Sequence, residues 1–349
     1  MAMKRYLRNA LSSVLKSYGY DIVDSRSLYD WQKHPGLWSS QPKSRLPEGA
    51  EDYLCANNPV LKDLQHRYSA FNKAVTTPLV WTDAHVSPDD MLYFRGDNAY
   101  VWQLRGASMN VLVYALTAYY VKAIDKLGLM RLLKEDDAFG SLSFIIDGKP
   151  ASRDLLDSII EIYFLEKHLN ISTSVDIKML DIGAGYGRLA HRMVIALPNI
   201  GEYLCTDAYA ASSFLADYYL RYRELDGKAK VVPLDEIESV LKKNKVDIAI
   251  NIHSFSECRL PAIEWWLSLI SKYKVRYLMI APNSGEDGGN SLRTNDGLAF
   301  DNIVEKHGYE LIAKDPKYGD PVVQKYGIHP TYHFLFQLSP GAPELPNRR

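Results

Sequence analysis

A short apolar run that ends in a glycine-rich turn constrains this chain more than any other feature. Residues Ile177–Ile182 read as a buried strand, and Asp181-Ile182-Gly183-Ala184-Gly185-Tyr186-Gly187 carries that strand through three glycines into a helical pattern over 188–197. Glycine lets the backbone take conformations closed to other residues and lets a ligand come within contact distance of the main chain. The amides that open the following helix have no intrahelical acceptor, so they point back over the turn and favour an anionic group there. Strand, turn and helix in this order are half of a βαβ unit, which is stable only inside a larger parallel sheet.

The rest of the chain supplies such a sheet. After residue 175, β-branched runs alternate with helical segments, predicting strands at 177–182, 202–206, 229–232, 246–252, 275–280, 309–313 and 332–338. Seven strands with helices between most of them predict an α/β fold, a doubly wound, Rossmann-like sheet. The last two strands flank a loop containing Pro316, Gly319, Pro321 and Gly327 without helical periodicity, and are expected to form an antiparallel edge hairpin. Upstream, 110–133 and the segment from Ser152 through His168 read as two helices of a cap. Pro42, Pro47, Pro59, Pro78 and Pro88 predict loops and short helices across 23–100. The expected organisation is a mostly helical extension over 1–150, a Rossmann-like domain over 151–339 and a flexible tail over 340–349.

Composition narrows the partners. Forty-one Lys and Arg residues nearly cancel 42 Asp and Glu residues, so no overall field draws the chain to nucleic acid. Cys55, Cys205 and Cys258 are too few and too scattered for a disulfide framework or a zinc site, which points to a reducing, cytoplasmic setting. No apolar run approaches the roughly 18 residues of a membrane span. Lys4, Arg5, Arg8 and Lys16 among Leu7, Leu11, Val14 and Leu15 form a basic amphipathic pattern. That pattern suits the inner face of a membrane, a partner, or a helix packed on its own fold. An oligomer is compatible with the sequence.

Glycine spacing then separates the ligands. A dinucleotide fingerprint wants its third glycine three residues after the second, but position 188 is Arg and the third glycine is Gly187. Asp207, 20 residues past Gly187 at the end of the second strand, is placed to accept hydrogen bonds from both hydroxyls of a ribose.

Through Asp181 to Gly187 and Asp207, the sequence resembles the class I S-adenosylmethionine-dependent methyltransferases over about 150–339. The resemblance implies S-adenosylmethionine as cofactor. It has Gly183, Ala184, Gly185 and Gly187 lining the methionyl part, Asp181 fixing the loop, Asp207 on the ribose, Asp235 bordering the adenine and Asn251 at the cofactor. Pro233-Leu234-Asp235-Glu236 also reads as a plain helix cap.

In doubly wound sheets chemistry gathers beyond the carboxyl ends of the strands, which directs attention to Asn251-Ile252-His253-Ser254-Phe255-Ser256-Glu257. His253 and Glu257, four residues apart, fall on one face of a helical turn and are the candidate bases. The competing reading has His253 capping the strand and Glu257 pairing with Arg259 or Lys272.

A closer resemblance is to the sugar O-methyltransferases of bacterial surface-glycan gene clusters. It is carried by Ser152-Arg153-Asp154-Leu155-Leu156-Asp157-Ser158 with Glu161, by 251–257 and by Ala281-Pro282-Asn283, and it covers most of 90–338. It implies methylation of a saccharide or nucleotide-sugar hydroxyl in polysaccharide biosynthesis. Arg153, Tyr100, Trp102 and Asn283 are the candidate substrate contacts, with Arg153, Asp154 and Glu161 equally readable as a helix cap and local ion pair. Tyr93, Phe94, Tyr100 and Trp102 around Arg95 suit stacking on a sugar while Arg95 or Arg105 meets a phosphate, or else a core. The polar loop over 283–295 reads as a mobile lid. His329, His333 and Asp320 have spacing compatible with a metal, but no metal is expected. Two rivals stand beside the sugar enzyme: an N-methyltransferase of a small amine or amino sugar, and a non-catalytic cofactor-binding scaffold.

Overall fold

The computed structural model describes residues 45–82, 86–101 and 111–340, with five positions between 11 and 18. The basic N-terminal pattern, for the most part, and Trp102, Arg105 and the tail beyond Pro340 lie outside the described residues. Among the described residues, no helix is long and apolar enough to cross a membrane.

Seven strands form the central sheet: β3 (Ile177–Ile182), β4 (Ile200–Thr206), β5 (Ala229–Val231), β6 (Ile248–Ile252), β7 (Tyr277–Ala281), β8 (Tyr309–Pro316) and β9 (Tyr332–Leu338). Their order is β5-β4-β3-β6-β7-β9-β8, with β3 to β7 parallel and β9 antiparallel to both neighbours. Chain order reverses between β3 and β6, so the two carboxyl ends splay apart and leave the crevice that doubly wound sheets use for ligands.

Helices cover both faces. The main ones are α1 (Pro59–Ala70), α2 (Val111–Ile124), α3 (Arg153–Leu169), α4 (Arg188–Ala196), α5 (Ala210–Tyr222), α6 (Ile237–Lys243), α7 (Leu260–Lys272), α8 (Asp301–Lys306) and α9 (Pro321–Tyr326). Because successive strand residues point to opposite faces, Leu180 and Ile182 join one core with Leu64, Phe214 and Ile263, while Ile177 and Met179 join another with Val121, Leu156 and Met193. Burial on both faces explains why these strands read as unbroken apolar runs. Leu61, Leu64 and Tyr68 of α1 fall in the first core, and Val121 of α2 and Leu156 of α3 fall in the second.

Several sequence expectations need correction. Pro59 does not prevent a long helix, because it occupies the first turn of the 12-residue α1, where proline lacks only an amide that would go unpaired, and Asn58 caps Val60 N. The last two strands do pair antiparallel at one edge of the sheet as predicted, with β8 outermost and β9 between it and β7. The connection between them holds α9, capped by Asp320 through Val322 N and Val323 N. A hairpin that the reading missed joins β1 (Ser143–Ile146) to β2 (Lys149–Ser152) through Asp147-Gly148, both at positive φ. It delivers the chain directly to Ser152, whose hydroxyl caps Leu155 N and opens α3.

Candidate functional site

The glycine turn is stitched to β4 before any ligand is considered. Gly183 N and Ala184 N both donate to Thr206 O, at 2.8 and 3.1 Å, and Gly185 N donates to Asp207 Oδ2 at 3.0 Å. Gly183, Gly185 and Gly187 have φ of 76°, 56° and 83°, in the left-handed region. Gly183 needs to be glycine for a reason other than the ligand approach expected from sequence: a Cβ there would stand 2.2 Å from Ser254 Oγ. At Gly185 a Cβ would meet only Tyr100, at an ordinary 3.8 Å, so this is the more open part of the turn.

Two carboxyls sit under and beside the turn. Asp181, buried at the end of β3, accepts from Tyr203 Oη at 2.9 Å, and burial pushes its pKa up to about 7. Asp207, half-buried, accepts from Tyr209 N at 2.8 Å as well as from Gly185 N, and burial holds it at about 7 too, despite those two amides. Each Asp207 oxygen has a second lone pair, which is what a vicinal diol requires.

Beyond the turn, His253 takes φ 66° between β6 and a 3₁₀ turn over Ser254–Glu257. Its backbone N donates to Ala281 O, and its ring Nδ1 lies 3.2 Å from Pro282 O. A carbonyl only accepts, so Nδ1 carries the hydrogen and Nε2 keeps a lone pair. Burial, then the charges of Arg153 and Lys317, drive the imidazolium pKa well below its ordinary value, so the ring is neutral at physiological pH. Glu257 takes neither partner weighed for it from sequence: Trp81 Nε1 donates to Oε2 at 2.5 Å and Asn283 Nδ2 to Oε1 at 3.2 Å.

One cavity of about 520 Å³ joins these groups. Its wall includes Asp181, Gly183, Ala184, Gly185, Asp207, His253, Glu257, Arg153, Tyr100 and Asn283, all singled out from sequence. Gly187, Asn251 and Asp235 are not in it. Gly187 instead caps α4 in the left-handed conformation. Asn251 is fully buried behind the wall, donating to Ile182 O and accepting from Phe255 N, both at 2.8 Å, so it ties β3 to the 3₁₀ turn instead of reaching a cofactor. Asp235 is clasped by Arg67 Nε and Nη2 at 2.9 and 2.8 Å.

Arg95 is likewise corrected. It is fully buried and bound by Glu135 and Asp136, so it is a core cation and not a phosphate contact, and Phe94 beside it packs on Phe139 and Tyr186. Arg153 pairs with Asp157 at 3.1 Å, a partner not named for it from sequence, and it also lines the cavity. Glu161 holds Arg188 with two bonds of 2.8 and 2.9 Å. The loop expected to be a mobile lid is tied at both ends: Asn283 N donates to Ser256 Oγ at 3.1 Å and Asn295 N to Ser256 O at 2.6 Å. His333 is buried against Phe164, Asp320 is spent on its helix cap, and no metal-ligand cluster occurs among the described residues.

Sequence reasoning missed Trp81. It lies against Tyr100 and Tyr209, with centroids 5.1 and 5.8 Å apart, and borders both the main cavity and an adjoining apolar pocket of about 80 Å³. A lone Trp in a proline-rich stretch carries no local sign of this position.

No protein-family model matches the chain, and no curated protein matches it. Solved structures with a similar fold include an S-adenosylmethionine-dependent methyltransferase from Aquifex aeolicus, at 16% identity over 52% of this chain and 89% of that one, with a TM-score of 0.39. They also include magnesium protoporphyrin IX methyltransferase from Synechocystis, solved with bound S-adenosylmethionine, at 12% identity over 52% and 77% with a TM-score of 0.36. A third is the [4+2]-cyclase SpnF, at 14% identity over 53% and 82% with a TM-score of 0.38.

Proposed function

We propose that this chain is an S-adenosylmethionine-dependent methyltransferase that acts on a hydroxyl of a glycan or a nucleotide- or lipid-linked saccharide. The observation that carries the reading is the continuity of one cavity from the Asp207 carboxylate, across the glycine turn, to the neutral ring of His253. Asp207 offers two lone pairs to a ribose diol, and the apolar pocket beside it, walled by Pro78, Trp81, Ala208 and Tyr209, suits a nucleobase. Gly185, open to the cavity, admits a thioether or sulfonium chain against the backbone.

S-adenosylmethionine supplies, when bound, a methyl group on a positively charged sulfur. The protein's tasks are then alignment and removal of the acceptor proton. His253 suits the second task, because its Nδ1 is engaged by Pro282 O and its Nε2 lone pair is not protonated at neutral pH. A hydroxyl hydrogen-bonded to Nε2 gives up its proton as its oxygen attacks. Glu257 accepts from Trp81 and Asn283, and so fixes the wall on either side of the acceptor. Arg153, Asn283, Ser284 and Asn295 supply the mixed donors and acceptors that a polyhydroxylated ring requires.

Incubation with methyl-labelled S-adenosylmethionine and a panel of nucleotide sugars and lipid-linked saccharides tests the reading. Label in a saccharide, lost in His253→Ala, supports it. Transfer to an amine that survives His253→Ala points to the N-methyltransferase, and cofactor binding without transfer to any acceptor points to the scaffold.

A further inference from the structure

Arg153, Asp157 and Glu161 follow one another at four-residue intervals along α3 and so share one face of it, a charged stripe that the transfer chemistry above leaves unexplained. Their charges are partnered unevenly. Glu161 takes two bonds from the Arg188 guanidinium, and Ser158 Oγ accepts a third. Asp157, by contrast, serves two cations: Arg153 Nε donates to Oδ2 at 3.1 Å and Lys317 Nζ to Oδ1 at 2.7 Å. Burial opposes the ionisation of Asp157, but Lys317 and Arg153 hold its pKa well below the usual carboxylate range. Burial also lowers the pKa of Lys317, yet its Nζ meets two further oxygens, Ile328 O at 2.9 Å and His329 O at 3.2 Å. A carboxylate and two carbonyls only accept, so together they require the full set of hydrogens of an ammonium.

One carboxylate between an ammonium and a guanidinium leaves a surplus of positive charge among the described residues. The neighbouring Asp154 does not cancel it, because it belongs to a balanced set of its own, Arg95, Arg192 and Arg223 against Glu135, Asp136 and Asp154. Lys317 is buried behind the wall, so the surplus reaches the cavity through Arg153, whose side chain lines it and is 12% exposed. The same imbalance acts on His253: burial lowers its pKa most, Arg153, Lys317 and Arg188 lower it further, and Asp157 opposes them. Positive charge in a largely desolvated wall is costly unless a ligand brings the counter-charge. A guanidinium selects the oxygens of a carboxylate or a phosphate.

We propose that the acceptor is an acidic saccharide, whose carboxylate or phosphate meets Arg153 while a neighbouring hydroxyl is presented to His253. This rests on the reading that the cavity is a site of methyl transfer to a saccharide, and it narrows that reading. A neutral sugar answers the hydrogen-bonding groups of Asn283 and Ser284 but not the charge on α3.

Ligand-observed NMR titration of the full chain, saturated with S-adenosylhomocysteine, with D-glucose, D-glucuronate and D-glucose 6-phosphate tests this. At least one of the two anions should bind about 10-fold or more tightly than glucose, as expected for a charge-assisted pairing. Glucuronate ahead marks a carboxylate on the acceptor, and glucose 6-phosphate ahead marks a phosphate. In Arg153→Gln the preference should fall to about threefold or less, with S-adenosylhomocysteine affinity kept, which also shows that the variant is folded. Glucose binding as tightly as both anions, binding of none of the three, or a preference unchanged in Arg153→Gln overturns the proposal. Failure of S-adenosylhomocysteine itself to bind overturns instead the cofactor reading beneath it. Should Arg153→Gln not fold, crystals of wild type with the favoured anion decide the matter: a charged oxygen within about 3.2 Å of the Arg153 guanidinium upholds the proposal, and any other location refutes it.

Discussion

Trp81 and Glu257, 176 residues apart in the chain, are joined by a 2.5 Å hydrogen bond from indole Nε1 to Oε2. The bond ties the N-terminal region to the segment that follows β6, at the wall of the cavity. Replacing Trp81 by Phe keeps an aromatic ring on Tyr100 and Tyr209 but removes the donor. The expected result is an affinity for S-adenosylhomocysteine weakened about 3- to 20-fold, with little change in melting temperature, measured by calorimetry and thermal denaturation. Unchanged affinity would show that the indole is a wall and nothing more.

His253→Ala removes the proposed base without touching Asp207 or the glycine turn. Turnover on a hydroxyl acceptor should fall by about 10²- to 10⁴-fold, while donor affinity stays within a few-fold. Loss of donor affinity in step with turnover would assign His253 to the cofactor instead.

Gly183→Ala places a Cβ 2.2 Å from Ser254 Oγ at a φ of 76°. Strain and clash together should destabilise the fold by about 3 kcal/mol, read from urea unfolding. Adding Ser254→Gly should recover the clash portion, whereas no recovery would locate the whole effect in the backbone.

The two raised carboxyls give pH effects of definite sign. Asp181 is protonated in the folded state up to about pH 7, whereas an unfolded chain releases that proton near the ordinary carboxyl value of 3.8. Between these values the folded state binds more protons, so this group's contribution to stability falls as pH rises from about 4 to about 7 and is level above. Asp181→Asn should therefore be more stable than wild type at pH 8, by about 1–3 kcal/mol, with the difference shrinking as pH falls and vanishing toward about pH 4. A difference independent of pH would contradict the assignment. At Asp207, a ribose diol donates to the ionised form, so donor affinity should strengthen as pH rises through about 7.

How much of this was legible in the sequence follows from where the determinants lie. Strand β3, the glycine turn and Asp207 were readable because each depends on residues close together in the chain and on a sheet whose faces are both buried. His253 was found for the same reason, as the polar residue at the carboxyl end of β6. Arg95 stayed open between a binding site and a core because an arginine flanked by aromatics looks alike in both; Glu135 and Asp136, some 40 positions on, decide for the core. The ion pair of Asp235 was not legible for a similar reason, its partner Arg67 being 168 residues away. Position alone had suggested Asn251, but its amide serves two backbone groups. The β1–β2 hairpin was legible in its Asp147-Gly148 turn and was overlooked, while Trp81 had no local signal at all.

The central claim is that the cavity takes an adenosyl donor through Asp207. Calorimetric titration of the purified chain with S-adenosylhomocysteine should give one site per chain, with affinity reduced about tenfold or more in Asp207→Asn. Absence of binding to the wild-type protein, or equal binding by the variant, would contradict it.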